Sequence, residues 1–121
     1  TPEILAKLSK LVTVYDSAGD SVVNINTADP LVIQALREDI TQAIAADIVQ
    51  SRPFKINNAE LDRVSSFEQI GKEIRTLYDI KSNLFLARMT VKVNEITRNA
   101  VVVLQRDPTT VMSSVQYYRV L

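Results

Sequence analysis

Histidine and cysteine are both missing from this chain of 121 residues. Without histidine there is no imidazole base, no Ser–His–Asp arrangement and no histidine metal ligand. Without cysteine there is no disulfide, thiol nucleophile or zinc knuckle, although this alone leaves the compartment open. Glycine occurs only twice, at Gly19 and Gly71, so neither GxxxxGK[ST] nor GxGxxG can be written to cradle a phosphate. An excess of one charge is lacking too: 14 Lys and Arg stand against 14 Asp and Glu, and a field able to hold a nucleic-acid backbone is not expected. No apolar run approaches the ~20 residues that cross a bilayer, and no signal peptide is visible. The chain opens on Thr1 rather than Met, which reads as a piece of a longer protein.

What is present suits one domain, or two small modules: 46% hydrophobic residues for a core and 23% charged residues for a surface. Ile4, Leu5, Leu8, Leu11, Val12 and Tyr15 recur at three and four residues and predict an amphipathic helix whose stripe is covered by the chain's other helices. Asp16 to Asp20 reads as a loop around Gly19. Val22 to Asn26 reads as a short extended piece. A helix follows, capped by Asp29 with Pro30 at its first position, or by Thr27, with Leu31, Ile33 or Val32, Ala35 and Leu36 buried. Asp39, with Gln42 three residues on, predicts the cap of a helix striped by Ile40, Ala43, Ile44, Ile48 and Val49 and ended by Pro53. Asn57 with Glu60, and Ser66 with Gln69, open two more short helices. Leu61 and Val64 face inward from the first, and Phe67, Ile70, Ile74, Leu77 and Tyr78 from the second.

Beyond Lys81-Ser82-Asn83 the period changes from 3.6 to 2. Phe85, Ala87, Met89, Val91 and Val93 fall on one face and Arg88, Thr90 and Lys92 on the other, as in a half-buried strand. Asn94 to Thr97 reads as a hairpin turn. Ala100, Val102 and Leu104 alternate in the return strand, Asp107-Pro108 breaks it, and a third strand runs from Val111 to Leu121. Helices followed by a strand meander make an α+β chain, divided as 1–80 and 81–121.

Chemistry finds little purchase. Glu38-Asp39 reads as surface charge. Asp16 and Asp20 could offer oxygens to calcium but do not meet the EF-hand pattern. Ser9 and Lys10 are neighbours on a helix and do not face each other. Asn24-Ile25-Asn26-Thr27-Ala28 is the most informative segment: asparagine side chains can tie a turn to its own backbone at a strand-to-helix corner.

That segment carries a resemblance. "NINTADPLVIQAL", then "AIAADIVQSR" and "PF", is similar to small helix-hairpin-helix and SAM-like modules, and Asn24, Asn26, Thr27, Ala28 and Arg52 are the motif positions. Two families share the pattern. In the competence-type DNA-binding module a glycine hairpin approaches phosphate. Here Leu36 to Thr41 has no glycine and adds two carboxylates, which argues against DNA. The K-type minor pseudopilin of type II secretion resembles the chain over more of its length. "LSKLVTVYDS" is similar to that family's lead-in, "KSNLFLARMTVKVNEITRNAVVVLQRD" to its hairpin and closing Arg, and "YYRVL" to its final aromatic strand.

This resemblance implies a SAM-like helical domain inserted in a pilin-type sheet, and a non-enzymatic role. The K-type protein caps the pseudopilus tip together with the I-type and J-type minor pseudopilins, because its bulky helical domain would clash with a subunit added above it. It implies the periplasmic face of the bacterial inner membrane, an N-terminal membrane helix not contained in this sequence, contact with secreted substrates, no nucleic acid, and no cofactor apart from calcium at ligands that cannot be assigned here.

Overall fold

Thr1 opens helix α1 (Pro2–Leu8), its hydroxyl accepting from Ile4 N–H at 3.3 Å. The computed structural model describes residues 1–15 and 22–121, so the loop expected at Asp16 to Asp20 lies outside the described residues. Helix α1 stops after about two turns, with the Ser9 hydroxyl donating to Ala6 O at 3.0 Å. The β-branched run from Val12 to Val14 disfavours helix beyond it. The expected long stripe is therefore not covered: Ile4, Leu5, Leu8 and Val12 are all exposed.

The described chain is α+β and falls into two compact units, Thr1–Lys81 and Ser82–Leu121. The first unit holds α1, β1 (Val23–Asn24), α2 (Pro30–Gln34), α3 (Gln42–Gln50), a 3-10 helix (Asn58–Arg63), α4 (Glu68–Glu73), a 3-10 turn (Arg75–Leu77) and β2 (Tyr78–Asp79). Strands β1 and β2 pair in parallel, Val23 with Tyr78 and Asn24 with Asp79. Asp29 is the cap of α2, accepting from Leu31 N–H at 2.9 Å, and Pro30 follows it. With only five residues, α2 buries Ile33 alone, and Leu31 and Ala35 face out against expectation.

Two expected caps are not used. Thr41, not Asp39, caps α3, its hydroxyl accepting from Ile44 N–H at 3.3 Å. The Asp39 carboxylate instead pairs with Arg37 Nε at 3.0 Å. Ser66 donates its hydroxyl to Asp47 at 2.7 Å, and α4 begins behind Phe67 with no side-chain cap. Asn57 does cap its helix, accepting from Ala59 N–H at 3.0 Å. Ala43 and Leu77 are exposed rather than inward, because α3 turns Ala45 and Ile48 to the core and Leu77 sits in the 3-10 turn.

The core of this unit runs from Ile25 to Ile80, and α1 and the 3-10 turn Arg75–Leu77 add no residue to it. Phe54, Phe67, Tyr78, Ile25, Ile33, Ile48 and Leu61 are its largest fully buried side chains, the aliphatic and phenylalanine ones each contributing about 1.5–3 kcal/mol on burial. Gly71 of α4 is buried between Phe67 and Tyr78. The two rings meet at 5.8 Å, tilted by 58°, and the Tyr78 hydroxyl donates to Gly71 O at 3.1 Å.

The second unit is a meander in the order β3 (Leu84–Val93), β4 (Ile96–Arg106), β5 (Ser113–Val120), antiparallel throughout. Val93 pairs with Ile96, leaving Asn94 and Glu95 as the turn. Asn94 has φ 54°, a left-handed conformation that Asn tolerates well. Leu104 pairs with Val115 and Val103 with Tyr117, so Gln116 is the extra residue of a β-bulge. The third strand starts later than expected. Asp107 Oδ1 accepts from Thr109 and Thr110 N–H at 2.7 and 3.0 Å, and the turn places Val111 at φ 60°, outside any strand. Nor is β3 half-buried. Met89, Val91 and Val93 are exposed, and within this unit only Val102 and Val103 are buried.

Candidate functional site

The motif positions come together around one asparagine. Asn24 Oδ1 accepts from Asn26 N–H at 3.0 Å, and Asn24 O accepts from Thr27 and Ala28 N–H at 3.2 and 2.9 Å. This closes the turn that leads out of β1. The fold thereby aims the Asn26 side chain across the unit. Its Nδ2 donates to Phe54 O at 2.8 Å and to Ile80 O at 3.0 Å, while its Oδ1 accepts from Phe54 N–H at 2.8 Å. Both donors and one acceptor of the amide are engaged, all with backbone. One side chain thus ties the β1 turn, the segment after α3 and the exit of β2.

Arg52 reaches the same corner from the end of α3 and donates to Ala28 O at 2.6 Å. Its Nε is buried without a protein partner, and burial pushes its guanidinium pKa below the usual value. Thr27 is exposed and joins through its backbone only. Asn24, Asn26, Ala28 and Arg52 therefore form one corner and Thr27 sits at its rim. Phe54 lies in the quoted "PF" but was not one of the motif positions, and Asp79 and Ile80 were outside the motif altogether. Asp79 O accepts from Ile25 N–H at 2.8 Å and its Oδ1 from Ile80 N–H at 2.6 Å. Nothing in their spacing marks Asp79 or Ile80 as partners of the motif.

What this corner can do chemically is hold segments together. Apart from the Arg52 Nε, the side-chain bonds of Asn24, Asn26 and Arg52 at this corner go to backbone groups. Elsewhere in this unit ion pairs lie on the surface. Arg37 bridges Asp39 and Glu73, and Gln69 Nε2 with Arg37 holds the Glu73 carboxyl below its ordinary range. A shallow polar depression is lined by Asp47, Ser51, Arg63 and Ser66. Arg63 is occupied there, donating to Ser51 O at 2.6 Å and lying 4.7 Å over the Phe54 ring. Among the described residues no group of three or more acidic side chains is placed to hold a metal, and the expected calcium candidates Asp16 and Asp20 lie outside them. No described helix is long and apolar enough to cross a membrane.

Residues 23–81 match the family model described as type II secretion system (T2SS), protein K. The match starts at β1 and ends with the first unit, so it contains Asn24, Asn26, Thr27, Ala28 and Arg52 and the whole core. No curated protein and no solved structure matches the chain.

Proposed function

We propose, from the match of residues 23–81 to the type II secretion system protein K family model, that the chain is a member of that family and a non-enzymatic structural component of the secretion pseudopilus. In this reading it caps the tip in a complex with the I-type and J-type minor pseudopilins. The first unit is the SAM-like helical domain whose bulk stops further addition. The second unit supplies strands of the pilin-type sheet. The protein works at the periplasmic face of the inner membrane, where secreted substrates pass.

The observation that carries the reading is the coincidence of the family match with the complete core of one folded unit. The use of Asn24, Asn26 and Arg52 on backbone groups supports a structural role for the motif. The DNA-binding alternative lacks such support. Its phosphate cradle would fall at Leu36 to Thr41, where Arg37 is already bonded to Asp39 and Glu73 and no glycine lets backbone N–H groups approach a phosphate.

The test is native mass spectrometry of the soluble protein mixed with the I-type and J-type pseudopilins of its own operon. A stable one-to-one-to-one complex is the expected result. Folded proteins that stay separate would overturn the tip role.

A further inference from the structure

We propose that the free edge of β3 is a docking site for an extended, acidic segment of a partner protein, taken up as an added strand. The inference rests on the assembly reading only in taking the occupant to be a protein. Arg106 N–H donates to Asn83 O at 2.7 Å, and Asn83 stands one residue before Leu84, which pairs with Gln105. Antiparallel ladders alternate, so the odd-numbered residues of β3 exchange hydrogen bonds with β4. The N–H and C=O groups of Leu84, Leu86, Arg88, Thr90 and Lys92 then point away from the sheet. Among the described residues β3 pairs only with β4.

This edge has no device that blocks pairing outright; charge is its only guard, and it selects among partners rather than excluding all of them. Its register with β4 runs unbroken over all ten residues, with no bulge, proline or glycine. The opposite edge, β5, carries the bulge at Gln116, which twists an edge away from partners. What β3 does carry is charge of one sign. Arg88 and Lys92 share a face, both exposed, and the strand has no carboxylate. Residues 82–121 hold Arg88, Lys92, Arg98, Arg106 and Arg119 against Glu95 and Asp107. Asp107 is spent on Thr109 and Thr110 N–H, and Glu95 sits in the turn.

Side chains directly opposite in an added strand lie against those of β3 on the same face. Acidic residues opposite Arg88 and Lys92 attract, and cations there repel. A second copy of β3 brings its own Arg88 and Lys92 to that face, so self-pairing is disfavoured. On the other face Met89, Val91 and Val93 are exposed, which calls for apolar residues at the alternate positions of the partner. The occupant is therefore a strand alternating acidic and apolar side chains.

The test uses the full chain of 121 residues and two synthetic peptides matched to the length of β3, one alternating valine with glutamate and the other valine with lysine. Amide hydrogen exchange is followed by NMR. The glutamate peptide is expected to slow exchange at Leu84, Leu86, Arg88, Thr90 and Lys92 and the lysine peptide to leave them unchanged. In the double variant Arg88→Glu with Lys92→Glu the preference should invert, with the glutamate peptide binding about tenfold more weakly or worse, as two attractive cross-strand pairs become repulsive. Equal protection by both peptides, protection by neither, or concentration-dependent protection in the chain alone would each overturn the inference. A chain that joins the three-protein complex yet shows no peptide protection refutes the edge alone. A chain that protects the edge but forms no complex refutes the tip role alone.

Discussion

Asn26 does more for the fold than its half-buried position suggests. Replacing it by alanine strands Phe54 N–H, Phe54 O and Ile80 O together, and an expected loss of about 2–4 kcal/mol follows from leaving such groups unpaired. Urea unfolding of Asn26→Ala measures it; a loss below about 0.5 kcal/mol would mean that solvent replaces the bonds at no cost. The asparagines and Arg52 were legible in the sequence because their residue types and close spacing suit a corner. Their partners were not, since Phe54 and Ile80 lie 28 and 54 positions from Asn26 and only the tertiary fold brings them near. Glu60 gives a second prediction at this scale. Ile56 N–H first, and then Lys55 N–H and Arg63, hold its carboxyl below the usual range. A depressed carboxylate adds stability that is present above the unfolded pKa and lost as pH falls through the folded one. Thermal melts should therefore show wild type losing stability from about pH 4.3 downward, and Glu60→Gln losing less over the same window. Parallel curves for the two proteins would remove Glu60 from the acid response.

At the scale of elements, Gly71 decides the packing of α4. Alanine is ordinarily better than glycine in a helix by about 1 kcal/mol. Here an added Cβ would meet Phe67 Cε1 at 2.8 Å, Phe67 Cδ1 at 3.0 Å and the Tyr78 hydroxyl at 3.1 Å. Phe67 and Tyr78 are both fully buried, so neither ring has room to move aside. Gly71→Ala is expected to destabilise by about 1–3 kcal/mol through overpacking, read as a lowered denaturant midpoint. A stabilised variant would show that the rings yield. The sequence period placed Phe67, Ile74 and Tyr78 inward, but a glycine has no side chain to register in a stripe. The same limit explains the misplaced caps. Asp39 and Ser66 are good capping types, and the sequence does not show that Arg37 and Asp47 claim them. The β-meander was legible because period-2 alternation is a local property. The exposure of β3 was not, because an apolar face reads the same whether or not anything covers it.

For the whole molecule, the difference between the two units is one of buried apolar surface. Among the described residues, the first has twelve buried hydrophobic residues in one connected core. The second has three strands and only Val102 and Val103 buried. A small sheet without a covered apolar face is marginal in water. Residues 1–81 expressed alone are therefore expected to keep helical circular dichroism and a cooperative urea transition. Residues 82–121 alone are expected to lack a transition. Within the second unit Arg106 ties the strand ends, donating to Ser82 O at 2.9 Å and lying 5.6 Å over the Phe85 ring, but a few local contacts do not offset the entropy of ordering the segment. Cooperative folding of 82–121 by itself would show that cross-strand pairs suffice, and would make the second unit an autonomous module. Loss of the transition in 1–81 would mean instead that its core needs more of the chain than the segment the family match covers.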